Sequence, residues 1–370
     1  MRIGIYTFWN VPNYGTFMQA YALRNAIQSL KPDAKVQQIS YLDPVHYAKY
    51  YKVIPKEYTH PLLRRGFYGN VLQNILSKDK IKSRKKFISY YEMIENTGNL
   101  TVEQLKKTEF DCVVLGSDII WDWSIAFFNH DVHLFGNDFS SKKVVSYACS
   151  FGTVKSGMAA PEYVRNGLKL QEAVSVRDQN SARLVEEISG RKAEIVADPT
   201  FIWDMRNDTN ISARKIEDKY IAVYGSDFQP GLVQGAREYA KKHGLKIVCL
   251  DSLDDSFGWC DINIAQDEMN PFDWCSYFKY ADIIFTCTYH GLMFGLIFNK
   301  PIVFSPTQFI LDKVSSLMEY IELNEPFVEL KDFKAKAEWD WNLSYKKIIN
   351  PRLNTLKNNS IHYLEEALMR

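Results

Sequence analysis

The sequence predicts an α/β fold of two Rossmann-like lobes facing a cleft. Three observations carry that reading. Short apolar runs alternate with segments of helical spacing along most of the chain, the pattern of parallel sheets joined by crossover helices. A length of 370 residues exceeds what one hydrophobic core serves, so about two domains are expected. The strongly polar stretch 204–218 interrupts the alternation, which then restarts cleanly. The expected division is a first lobe over 1–205, a second over 206–345, and a C-terminal helix over 346–370 packing back on the first lobe.

The chain opens with an apolar strand, Ile3 to Phe8, and a loop rich in Asn, Pro and Gly. Phe17, Ala20, Tyr21, Leu23, Ile27 and Leu30 then recur at helical spacing. A second strand follows at Val36 to Tyr41. Further buried strands are expected within 111–118, 143–152, Ala173 to Arg177, and Ile195 to Ala197, with a helix from Ser181 to Ile188. Several of these strand ends deliver polar residues to one edge of one sheet, where ligands of parallel sheets bind. In the second lobe, strands are expected at Tyr220–Tyr224, Lys246–Leu250, Ile262–Ala265, Ile283–Thr286 and Pro301–Phe304. Helices are expected at 231–242, Pro271–Tyr280 and 290–298. Two such lobes make a GT-B-like architecture.

Composition excludes several classes. Hydrophobic residues at 46% and charged residues at 24% describe a globular chain, and a net charge of +1 exerts no global pull on nucleic acid. The six cysteines lack metal-ligand spacing, and several sit inside apolar runs, as expected of a reducing compartment. Met1 to Tyr6 reads as a strand rather than a leader, and no apolar run approaches the ~20 residues that span a bilayer. A cytoplasmic location is expected. Residues 46–90 carry eleven Lys and Arg against two acids, interleaved with Tyr and Phe. The segment reads as a solvated basic insertion or as a patch for a polyanionic or membrane-surface acceptor, the latter at the inner face of the membrane. No nucleic-acid-binding motif accompanies it.

The candidate chemistry lies at strand ends. Tyr289-His290-Gly291 sits where a buried strand meets an apolar helix, a place with free backbone N–H groups and partial positive charge. His290 there is either a proton donor or a helix cap. Arg177 is either a fork for a carboxylate or phosphate, or half of an Arg–Asp pair. Asp118 either serves a sugar hydroxyl, with Trp121 and Trp123 as a stacking platform, or caps a helix. Asn10, Asn13, Tyr14 and Gln19 suit hydroxyl recognition, although Asn and Gly also simply make turns.

These pieces resemble the polysaccharide pyruvyl transferase family over nearly the whole chain. The resemblance rests on five motifs in the family's order. Asn13-Tyr14-Gly15 precedes Gln19-Ala20-Tyr21-Ala22-Leu23, and Gly116-Ser117-Asp118 precedes Trp121. Ser146-Tyr147-Ala148 leads to Ser150-Phe151-Gly152. Ser175-Val176-Arg177-Asp178 pairs with Asp198-Pro199-Thr200, and Tyr289-His290-Gly291 with Asn299-Lys300-Pro301.

The resemblance implies transfer of pyruvate from phosphoenolpyruvate, as co-substrate, to two hydroxyls of one sugar, giving a cyclic ketal and phosphate. It implies no metal and no resident cofactor. The acceptor would be a sugar or lipid-linked oligosaccharide of a capsular or exopolysaccharide precursor. His290 would be the acid and Asp118 the base. Arg177, Tyr289, Gly291, Ser150 and Gly152 would hold the donor. Asn10, Asn13, Tyr14, Gln19, Ser117 and Trp121 would line the acceptor side. Many members carry an arginine two residues before the histidine, where this chain has Thr288. The competing readings are a glycosyltransferase using a nucleotide-sugar and a non-catalytic member of the fold.

Overall fold

Alternation of apolar side chains decides the first unit. The computed structural model describes residues 1–51, 86–226, 228, 230–251, 258–322 and 344–369. Most of the basic 46–90 segment lies outside the described residues. In strand β1 (Arg2–Tyr6), Ile3 and Ile5 face one apolar cluster and Tyr6 faces another. A strand buried on both faces belongs inside a parallel sheet with helices on either side. Asn13 caps α1 (Tyr14–Leu30) by accepting the Thr16 N–H at 3.0 Å, and the helix ends at Leu30, with only Lys31 between it and Pro32. β2 (Lys35–Ser40) and α2 (Pro44–Tyr51) follow.

Next come β3 (Asn96–Asn99), α3 (Val102–Lys107), β4 (Glu109–Phe110) and β5 (Cys112–Leu115). Then come β6 (Ser140–Ser141), β7 (Val144–Ser146), α4 (Glu162–Leu170) and β8 (Ser175–Val176). α5 (Gln179–Ser189), β9 (Glu194–Ile195) and the single turn α6 (Pro199–Ile202) complete this run.

The main sheet runs β3-β2-β1-β5-β7, and the described pairings are parallel. β8 and β9 pair with each other, and single bridges (Val145–Ala173, Cys149–Val176) carry the sheet on past β7. Several expected strands are shorter than read, among them Ala173 to Arg177, which is a strand only at Ser175–Val176. The run 143–152 is a strand only to Ser146, because Ala148 adopts a left-handed backbone with φ 53°. The run 111–118 ends at Leu115, since Gly116 and Asp118 also take positive φ.

The second unit repeats the scheme. β10 (Tyr220–Tyr224), α7 (Pro230–His243), β11 (Lys246–Leu250), β12 (Ile262–Ile264) and α8 (Pro271–Tyr280) lead to β13 (Ile283–Thr286). α9 (Tyr289–Ile297), β14 (Ile302–Phe304) and α10 (Gln308–Tyr320) follow. Its parallel sheet runs β12-β11-β10-β13-β14, so in each unit the first strand lies at the centre and the chain reverses direction beside it. The units divide between Trp203 and Asp204, and α11 (Ser344–Met369) is shared. Residues 204–356 form the second unit, while Lys357–Arg370 belongs with the first. There Leu364 and Leu368 join Ile3, Ile5, Leu23 and Val114 in one cluster.

Among the described residues, no helix is long and apolar enough to cross a membrane.

Candidate active site

In the first unit, polar side chains converge where the strands end. Gln19, buried on α1, ties the end of β1 to the end of β5. Its Nε2 donates to Thr7 Oγ1 (3.2 Å) and to the carbonyls of Phe8 and Thr16 (both 3.0 Å). Its Oε1 accepts from Ser117 Oγ at 2.9 Å. Gln19 and Ser117 were expected to line the acceptor side; both are buried, and they spend their hydrogen bonds bracing this junction.

Asp118 stands one residue beyond that brace with φ 75°. Its Oδ1 accepts from Arg177 Nη2 at 3.2 Å and from the Ile119 N–H at 2.8 Å. Its Oδ2 accepts from Thr16 Oγ1 at 3.3 Å. Arg177 Nη1 donates to Asp198 Oδ2, also at 3.2 Å. The Arg177 and Asp198 side chains are 3% and 1% exposed, against 13% for Asp118, so solvent reaches only the Asp118 end of the row. With both acids ionised, one guanidinium between two carboxylates leaves a net charge of −1. Arg177 was expected to hold an anionic donor; its two terminal nitrogens donate to the carboxylates of Asp118 and Asp198.

Other expected donor residues are also committed. Ser150 Oγ donates to Asp178 Oδ2 at 2.7 Å, while Asp178 caps α5 by accepting the Ser181 N–H at 2.7 Å. Gly152 has φ 56°, and a Cβ there would collide with the buried carboxylate of Asp122. That carboxylate accepts from the Thr153 N–H and Thr153 Oγ1, both at 2.7 Å.

Trp121 is not a stacking platform. It is fully buried, stacks on Phe135 at 5.8 Å, and donates its Nε1–H to Leu134 O at 2.9 Å. Tyr14 is equally buried, with its ring 5.3 Å from Phe87. Asn13 is the exposed cap of α1. Asn10 is buried and its Oδ1 has no hydrogen-bond partner.

In the second unit, Thr288 stands where the family resemblance led us to look for an arginine. It is the N-cap of α9: its Oγ1 accepts the Gly291 N–H at 3.0 Å, and its own N–H donates to Thr286 Oγ1 at 3.1 Å. The Gly291 N–H is thus used by the cap and not open to a ligand. A Cβ at Gly291 would strike Thr286 Oγ1, so glycine is what fits there. Tyr289 is buried and meets His290 edge-on at 5.1 Å; His290 itself is half-buried in the first helical turn. The N–H groups of Tyr289 and His290 precede the capped Gly291 N–H in this turn, and the helix dipole adds partial positive charge.

Sequence reasoning missed Thr16, Asp122 and Asp251. The last is the first residue after β11, with φ 66° and its N–H donating to Ile264 O at 2.9 Å. Burial pushes its carboxyl up to about 7, opposed by a hydrogen bond from Gln266. The strand-end rule that selected Asp118 would have selected it too. Among the described residues, no group of three His, Cys, Asp or Glu side chains could hold a metal ion.

The family model for polysaccharide pyruvyl transferase matches residues 13–306. Among solved structures, the chain is similar to the UDP-GlcNAc 2-epimerase from Methanocaldococcus jannaschii. That match has 12% identity and a TM-score of 0.53, covering 100% of this chain and 99% of that one. It is also similar to the UDP-GlcNAc 2-epimerase from Neisseria meningitidis bound to UDP-GlcNAc, at 13% identity, 100% of each chain and a TM-score of 0.47. The first likeness is one of fold and agrees with two Rossmann-like units in a GT-B-like α/β chain. No curated protein matches.

Proposed function

This chain belongs to the polysaccharide pyruvyl transferase family, and on that premise we propose that it moves pyruvate from phosphoenolpyruvate to two hydroxyls of one sugar in a polysaccharide precursor. The observation that carries the residue assignment is the Asp118–Arg177–Asp198 row with its single solvent-reached end. A cluster of net charge −1 repels a phosphate ester but suits a sugar hydroxyl, which needs an acceptor for its proton. Asp118 is accordingly the base on the acceptor side, Thr16 and Arg177 hold its carboxylate in place, and Asp198 holds Arg177.

The donor needs the opposite environment. The first turn of α9 offers N–H groups, the positive end of a helix dipole and His290. His290 delivers a proton to C3 of the enol, leaving C2 oxocarbenium-like. One sugar hydroxyl attacks C2 and gives up its proton to the base. Phosphate then leaves with its bonding pair, and the second hydroxyl closes the ketal as its proton is lost. One proton enters and two leave the hydroxyls, one of which accompanies phosphate, so the products are ketal and inorganic phosphate. General acid help of this kind contributes roughly 10²–10⁴-fold.

The test is phosphate release from phosphoenolpyruvate with free, nucleotide-linked and lipid-linked glycans. His290→Ala should lower turnover by about 10²-fold or more while its melting temperature stays within a few degrees of the parent. Silence across all three acceptor classes sinks the reaction.

A further inference from the structure

We infer that Asp251 is a ribose-binding carboxyl, so that the second unit takes a nucleoside diphosphate and the acceptor sugar arrives on a nucleotide carrier. This rests on the proposed reaction for what is done to the sugar, but not for the binding itself.

The topology supplies the first argument. In a parallel sheet whose first strand is central, ligands lie outside the carboxyl ends around the reversal point. An acid at the end of the second strand reaches the ribose hydroxyls. The second unit has that order, with β10 first, β11 second and β13 on the far side of β10. Asp251 is the first residue after β11.

The carboxyl supplies the second. Asp251 Oδ1 is shut off from solvent and has no hydrogen-bond partner, whereas the residue as a whole is only half-buried. A buried acceptor without a donor is costly, and a ligand hydroxyl would satisfy it. The backbone N–H donates to Ile264 O and the carboxyl takes one hydrogen bond from Gln266, so Oδ1 is the atom that remains to recognise something. Burial also keeps much of this carboxyl protonated near neutrality, which favours a neutral diol over a cation.

Distance supplies the third. Two strand spacings, roughly 10 Å, separate the ends of β11 and β13 across β10. A nucleoside diphosphate held by its ribose at Asp251 spans about that length, carrying its sugar toward the His290 turn.

The experiment is calorimetric titration of the full chain with UDP, GDP and ADP, each beside its 2′-deoxy analogue. At least one ribonucleotide should bind, and removing the 2′-hydroxyl should weaken it about tenfold or more. In Asp251→Ala that discrimination should collapse to under about twofold, with Asp251→Asn as the isosteric variant if the alanine form does not fold. Failure of all three nucleotides at millimolar concentration overturns the inference, as does discrimination unchanged in both variants. Nucleotide binding without phosphate release would sustain Asp251 and sink the reaction. Phosphate release with lipid-linked glycan but no nucleotide binding would do the reverse.

Discussion

Arg177 and Asp198 form an ion pair almost closed to water, 3.2 Å from Nη1 to Oδ2, with side chains 3% and 1% exposed. Asp198 also caps the short turn α6, its Oδ1 accepting the Thr200 N–H at 3.1 Å and Thr200 Oγ1 at 2.8 Å. Asp198→Ala would strand a buried guanidinium and uncap the turn together. We expect a loss of about 3–5 kcal/mol, measured by urea denaturation. Asp198→Asn, which keeps the cap geometry, should cost less. A loss under about 1 kcal/mol for the alanine variant would show that Asp118 alone suffices to neutralise Arg177.

Thr288 should behave as a cap. Thr288→Ala is expected to destabilise by about 1 kcal/mol, and Thr288→Ser to recover most of it, in thermal or chemical melts. Gly291→Ala should be worse, by about 1–3 kcal/mol, because the added methyl meets Thr286 Oγ1. Equal stability of Thr288→Ala and the parent would remove the capping role.

His46 gives the chain an acid-sensitive limb. It lies among Phe8 (4.7 Å), Phe128 (4.9 Å) and Phe127 (5.3 Å), and burial pushes it down to about 3, with Asp131 pulling the other way. The folded state holds it neutral while the unfolded chain protonates it near 6.5. Its contribution is therefore present above about 6.5 and lost as pH falls toward 3, at no more than about 1.4 kcal/mol per pH unit. His46→Phe should flatten that limb. Parallel stability curves for parent and variant between pH 4 and 8 would contradict this.

Asp251 works with the opposite sign. Its carboxyl is raised in the folded state, so the stability tied to it is full below its unfolded value of 3.8 and is lost as pH rises to about 7. Asp251→Asn should gain on the parent progressively across that window and hold a constant advantage above it, in the absence of ligand. An advantage independent of pH would place the carboxyl in water.

Much of the fold was legible because period and composition agree. Tyr220–Tyr224 and Lys246–Leu250 are β-rich runs bounded by polar turns, and both strands fall where the sequence placed them. Tyr147 to Gly152 looks equally strand-like, yet a left-handed Ala148 breaks it, and nothing in an alanine announces that. The position of Arg177 at a strand end was legible too. Its partners were not, since Asp118 and Asp198 are distant in sequence and only the folded sheet edge unites them.

Ser, Thr, Asn and Asp at strand ends serve capping and chemistry with the same atoms. Asn13, Asp178, Asp198 and Thr288 prove to be caps. Trp121 was misread because hydrophobic pattern alone does not say which face of a turn looks inward.

The sharing of α11 bears on how the chain is made. Residues 357–369 are translated only after the whole second unit, yet they supply Leu364 and Leu368 to the core around Ile3 and Ile5. Ser360 Oγ accepts the Ala197 N–H at 2.8 Å, and Tyr363 OH donates to Ser146 O at 2.9 Å. A nascent first unit on the ribosome thus waits with one apolar face uncovered while more than a hundred further residues emerge. Chaperone demand during synthesis should concentrate in that interval, and a stop codon just before Lys357 would leave the first unit, not the second, without its closing segment.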